Sequence, residues 1–95
     1  MRFRRGLYAL LVSQACFPRL GIVLEELQVN ETPATKFTKS LQYLRAEISR
    51  GADVADLEPL GESAGDFVTT LHGYRVHIQV NEVHFTVTLV DIDDS

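Results

Sequence analysis

The sequence predicts an α+β protein, one domain over residues 1–95, with N-terminal helices packed on a C-terminal antiparallel sheet of about three strands. Three observations lead there. Apolar residues recur at helical spacing in the first half of the chain, most clearly in a long helix at about 33–50. From Asp66 onward the period changes to two, giving strands at 66–72, 74–80 and 83–92. The last two strands sort their side chains by polarity when they are paired as a hairpin.

Each element has its own signal. Leu7, Leu10, Leu11 and Ala15 repeat at helical spacing, and Pro18 is expected to end that helix. The basic start followed by an apolar run has the outline of a secretory signal. The run 7–12 is short, however, and Ser13 and Gln14 follow it, so the stretch is taken as a core helix. Ile22, Val23, Leu24 and Leu27 suit a short buried helix, although the segment 22–29 also carries strand-favouring residues. In the long helix, Thr32 is placed as N-cap and Pro33 at the first helical position. Phe37, Leu41, Leu44 and Ile48 then form one stripe, and Gly51 closes the helix as a left-handed cap. A two-residue turn at Asn81 and Glu82 would set Val80, Ile78, Val76 and Tyr74 opposite Val83, Phe85, Val87 and Leu89 on one apolar face. The other face would carry Arg75, His77, Gln79, His84, Thr86 and Thr88.

Charge is unevenly distributed. Residues 1–50 hold eight basic and four acidic side chains, while residues 51–95 hold Arg75 alone against nine carboxylates, within a net charge of −4. The acidic half is the wrong sign for a phosphate backbone and suits a protein partner with a basic surface, or self-association between unlike halves. The candidate binding carboxylates are Asp53, Asp56, Glu58, Glu62, Asp91 and Asp93. Cys16 is the one cysteine, so no intramolecular disulfide forms. It reads as a buried structural thiol in a reducing, cytoplasmic setting. No run approaches the roughly 18 apolar residues of a membrane span.

Candidate chemistry concentrates on the polar sheet face. Arg75 with His77 or His84 has the residue types for acid–base work on a phosphodiester, with arginine stabilising negative charge and histidine moving the proton. The chain has no glycine-rich phosphate loop, no nucleophile elbow and no metal-ligand spacing, so neither a cofactor nor a metal is expected.

The segment from the long helix through "PLGES" into "DFVTTLHGYRVHIQVNEVHFTVTLVDID" resembles the second half of RelE/ParE-family toxins, over residues 36–93. The resemblance implies a microbial RNase-like α+β fold and an antitoxin partner, with Arg75 at the family's arginine in the "YRV" strand. Ribosome-dependent ribonucleases of that family use basic or aromatic residues near the end of the last strand, where this chain has "DIDDS". The leading expectation is therefore a small acidic protein-binding module without enzymatic activity, of the inhibitor, neutralising or adaptor type, in a toxin–antitoxin-like system. The alternatives are a RelE-like mRNA-cleaving ribonuclease using Arg75 with His77 or His84, and a ParE-like toxin that binds a protein target.

Overall fold

The computed structural model describes residues 1–29 and 34–94. Strand β1 (Ala9–Val12) leads through a short 3-10 turn into helix α1 (Phe17–Val29), and helix α2 (Ala34–Ser49) follows. Strands β2 (Glu58–Pro59), β3 (Asp66–Leu71), β4 (Tyr74–Asn81) and β5 (Thr86–Asp94) complete the order. They form a five-stranded sheet in the order β1-β5-β4-β3-β2, with β1 parallel to β5 and the other neighbours antiparallel.

This corrects the expected three-stranded antiparallel sheet: the sheet has five strands and is mixed. The main error lies at residues 7–16, where a strand (Ala9–Val12) and a 3-10 turn (Gln14–Cys16) stand in place of a helix. Tyr8, Leu10 and Val12 also alternate at period two, and that pattern wins because β5 offers a ladder. Leu10 pairs with Val87 and Val12 with Leu89, while Ala9 N–H donates to Phe85 C=O and Ser13 N–H to Leu89 C=O, each at 2.9 Å. Leu7, counted into the helical stripe, is left exposed, and Tyr8 is buried. A non-local partner thus overrides local spacing. Pro18 does not end a helix but sits in the first turn of α1, where its missing N–H costs nothing. Residues 22–29 are helical, with Val23 and Leu27 buried.

In α2 the stripe of Phe37, Leu41, Leu44 and Ile48 is buried as its spacing requires. The helix stops in a Schellman arrangement. Gly51, at φ 71°, donates its N–H to Ile48 C=O, and Ala52 donates to Glu47 C=O. Thr32 and Pro33, the expected start signals, lie outside the described residues.

The core lies between the two helices and one face of the sheet, where Val76, Ile78, Leu89 and Ile92 are fully buried against Val23, Phe37 and Ile48. Two side-chain hydrogen bonds fasten the layers. Tyr74 Oη donates to Glu26 Oε2 at 2.7 Å, and Ser40 Oγ meets His72 Nε2 at 2.9 Å. Cys16 is buried at the end of the 3-10 turn, and burial, followed by the nearby Asp91 carboxylate, pushes its thiol pKa up. Among the described residues no helix is long and apolar enough to cross a membrane.

Candidate functional site on the open face of the sheet

The helices cover one face of the sheet and leave the other open, and strand alternation decides which side chains appear there. Along β4, Tyr74, Val76, Ile78 and Val80 are buried, while Arg75 and Gln79 are exposed and His77 is half-buried. The β3–β4 turn at His72 and Gly73 has positive φ at both residues, 50° and 85°, which fits a two-residue hairpin.

The β4–β5 register differs from the tight turn at Asn81 and Glu82. Asn81 pairs with Thr86 and Val80 with Val87, and residues 82–85 form the loop. Asn81 Oδ1 accepts the backbone N–H groups of Val83 and His84, each at 2.9 Å, and this side-chain turn holds the longer loop. The displacement is an even number of residues, so the faces stay sorted: Val87 and Leu89 still enter the core. Val83, expected in the apolar wall, is exposed in the loop.

A bulge then resets the alternation. Ile78 pairs with Leu89 but His77 pairs with Asp91, leaving Val90 as the extra residue. Without it, Asp91 and Asp93 would point into the core. With it, Ile92 is buried, and Asp91 and Asp93 stand on the open face directly across from His77 and Arg75. The signal was present in the sequence as adjacent apolar residues, Leu89 and Val90, immediately before the alternating Asp-Ile-Asp.

His77 Nε2 lies 3.1 Å from Asp66 Oδ1, a contact between β4 and the start of β3. Asp66 was not among the candidate residues, because it marked a strand boundary and its diagonal approach to His77 depends on the β3–β4 register. Arg75, His77, Asp91 and Asp93 line a shallow groove of about 220 Å³ with Leu60 and Val68. A second groove of about 170 Å³ continues from Arg75 towards Asp56 and Glu58. Four of the six candidate carboxylates, Asp56, Glu58, Asp91 and Asp93, therefore flank Arg75.

The other candidates lie elsewhere. Asp53 pairs with the amino group of Met1, and that hydrogen bond and charge hold its carboxyl below the usual range. Glu62 is exposed in the turn between β2 and β3 and lines neither groove. His84 is exposed in the 82–85 loop at the far end of the hairpin and is not brought beside His77. Among the described residues no group of three or more histidine, cysteine or acidic side chains is arranged to hold a metal ion.

Chemically, the face combines a histidine with a carboxylate partner and a neighbouring arginine, all under a local excess of negative charge. The first two features suit proton transfer. The third suits a cationic partner and opposes a phosphate backbone.

No protein-family model matches the sequence, and no curated protein matches it. Among solved structures the chain is similar to a chain of the RelBE2 toxin–antitoxin complex from Mycobacterium tuberculosis, with 17% identity and a TM-score of 0.54. The match covers 98% of this chain and 97% of that one. At this identity the likeness is one of fold, and it spans almost the whole chain, beyond the segment 36–93 in which the sequence resemblance lies.

Proposed function

We propose that this protein is a protein-binding component of a toxin–antitoxin-type pair and that its open sheet face receives a basic segment of the partner. The observation that carries this reading is the make-up of that face. On strands β2 to β5, Glu58, Asp91 and Asp93 line the grooves around Arg75, the one lysine or arginine of those strands, and Asp66 contacts the neighbouring His77. The fold likeness to a chain of a toxin–antitoxin complex supports the kind of pair. Carboxylates on a rigid sheet give orientation and fast encounter with a cationic surface. They also repel RNA, which needs clustered cations.

A second reading, a RelE-like ribonuclease, is favoured by one feature: His77 is held by Asp66 beside Arg75 on an uncovered face. In that reading Asp66 orients the imidazole, His77 moves the proton and Arg75 stabilises the developing phosphorane charge.

One experiment separates the two. Wild type, Arg75→Ala, His77→Ala and an Asp91→Lys/Asp93→Lys variant are expressed inducibly with an affinity tag, and growth and co-purifying proteins are followed together. The binding reading expects normal growth of cells and a stoichiometric basic partner. Charge reversal should weaken its capture by roughly tenfold or more, and salt should weaken it further. Growth arrest with mRNA cleavage, relieved by Arg75→Ala and His77→Ala, would overturn that reading in favour of the ribonuclease.

A further inference from the structure

The edge of the sheet beyond β2 is unfinished. β2 pairs Glu58 with Val68 and Pro59 with Phe67, and Leu60 N–H donates to Asp66 C=O at 2.9 Å. β3, however, runs on to Leu71. Backbone groups of successive strand residues point to opposite edges, so Asp66, Val68 and Thr70 face the β2 side and their neighbours face β4. Thr70 therefore aims its N–H and C=O at a position where β2 has already stopped. In continued register Asp56 would stand opposite, but it lies in a turn with Ala55.

Two grooves meet at this edge. One, of about 600 Å³, lies between α2 and the edge and presents Tyr43, Leu44, Val54 and Leu71. The other is the small open-face groove with Asp56, Glu58 and Arg75. Both include Asp56, Thr69 and Thr70, and Lys39, Glu47 and Asp53 also line the larger one, whose exposed lining is mostly apolar. Side chains of an extended chain alternate between faces. A strand paired to Thr70 would send one side chain into the apolar groove beneath α2 and the next towards Asp56 and Glu58. The positive charge of Arg75 there is offset by Asp93, its direct cross-strand neighbour.

We infer that residues 69–71 of β3 are a strand-addition site for an extended segment of the protein partner in which apolar residues alternate with basic ones. Main-chain pairing at Thr70 supplies the affinity and the two grooves supply the selectivity. The inference rests on the reading that the chain binds a protein, but not on docking at Asp91 and Asp93.

The test uses the whole chain and a synthetic peptide of alternating lysine and valine. Its controls are a glutamate–valine counterpart, a block-ordered isomer of the same composition, and the lysine–valine peptide N-methylated along its backbone. Binding is followed by amide chemical shifts. The largest changes are expected at residues 69–71, with affinity falling about tenfold or more on N-methylation, because the pairing hydrogen bonds are lost. Asp56→Lys/Glu58→Lys should reverse the preference towards the glutamate peptide. Thr70→Pro removes an N–H that the β3–β4 ladder does not use, and should abolish binding with the thermal transition retained. If that variant unfolds, the N-methylated peptide against wild type decides. Equal binding of the block-ordered or N-methylated peptide, or shifts centred on Asp91 and Asp93, would overturn the inference. Capture of the cellular partner by folded Thr70→Pro at the wild-type level would overturn it too, even where Asp91→Lys/Asp93→Lys fails to capture and the open-face reading stands.

Discussion

Single residues at turns carry constraints that the sequence shows only as composition. Gly51 and Gly65 both have positive φ, 71° and 89°, yet they are not equivalent. A Cβ added at Gly51 would lie 3.7 Å from its nearest neighbours, so only the backbone conformation resists substitution. At Gly65 the added atom would lie 2.7 Å from the Val80 carbonyl oxygen, and Val80 N–H also donates to Gly65 C=O. Gly51→Ala is expected to cost about 1 to 2 kcal/mol, the ordinary left-handed penalty. Gly65→Ala should cost clearly more, since the β3 entry must move away from β4, and paired denaturant titrations will rank the two. The histidines show the same limit of legibility. His77 reached the open face because strand parity alone sends it there. His84 did not, because its position depends on loop length, which Asn81 decides by capping two backbone N–H groups.

Among the elements, α2 was the most legible: its buried stripe and its glycine stop follow from neighbouring residues only. β1 was the least, because Leu10 and Val12 become strand residues only when β5 lies beside them. The bulge in β5 falls between these cases, with a visible slip in the apolar pattern but no local indication of which residue is extra. It makes a testable assignment. Ile92, fully buried, should cost about 2 to 5 kcal/mol when truncated to alanine. Val90, the half-buried extra residue, should cost less than about 1 kcal/mol on the same change. Thermal or denaturant unfolding of the two variants checks this directly. Equal costs would mean that β5 keeps strict alternation through Leu89. Asp91 and Asp93 would then not share a face with Arg75.

At the scale of the whole molecule, the charge asymmetry was legible as a count but not as a surface. The carboxylates gather only because β2 with the turn before it, β4 and β5 bring Asp56, Glu58, Asp91 and Asp93 around one arginine. The molecule also joins two buried titrating groups to one pH response. Burial raises the pKa of Cys16, with Asp91 adding to it, and burial with Glu82 raises that of Tyr8 despite Arg4. Both are held neutral in the fold. Their contribution to stability is complete below the unfolded-state values, about 8.5 for a thiol and 10 for a phenol, and is lost as pH rises through the folded-state values. Unfolding free energy should be level near neutral pH and fall above about pH 8.5, by at most about 1.4 kcal/mol per pH unit for each group. A Tyr8→Phe/Cys16→Ala variant should show a shallower alkaline slope, measured by chemical denaturation across pH.

The parallel pairing of β1 with β5 sets the order in which the protein can assemble during synthesis. β1 leaves the ribosome before every other described element, and β5 is made after all of them. The apolar side chains of β1 must therefore wait, unpaired, while the helices and the β3–β4 hairpin form beside them. Closing that last ladder joins distant parts of the sequence, the kind of contact that slows folding and lengthens exposure to aggregation. A nascent chain halted before Thr86 would lack the strand that joins β1 to β4, so quality-control factors would meet it with Leu10 and Val12 uncovered.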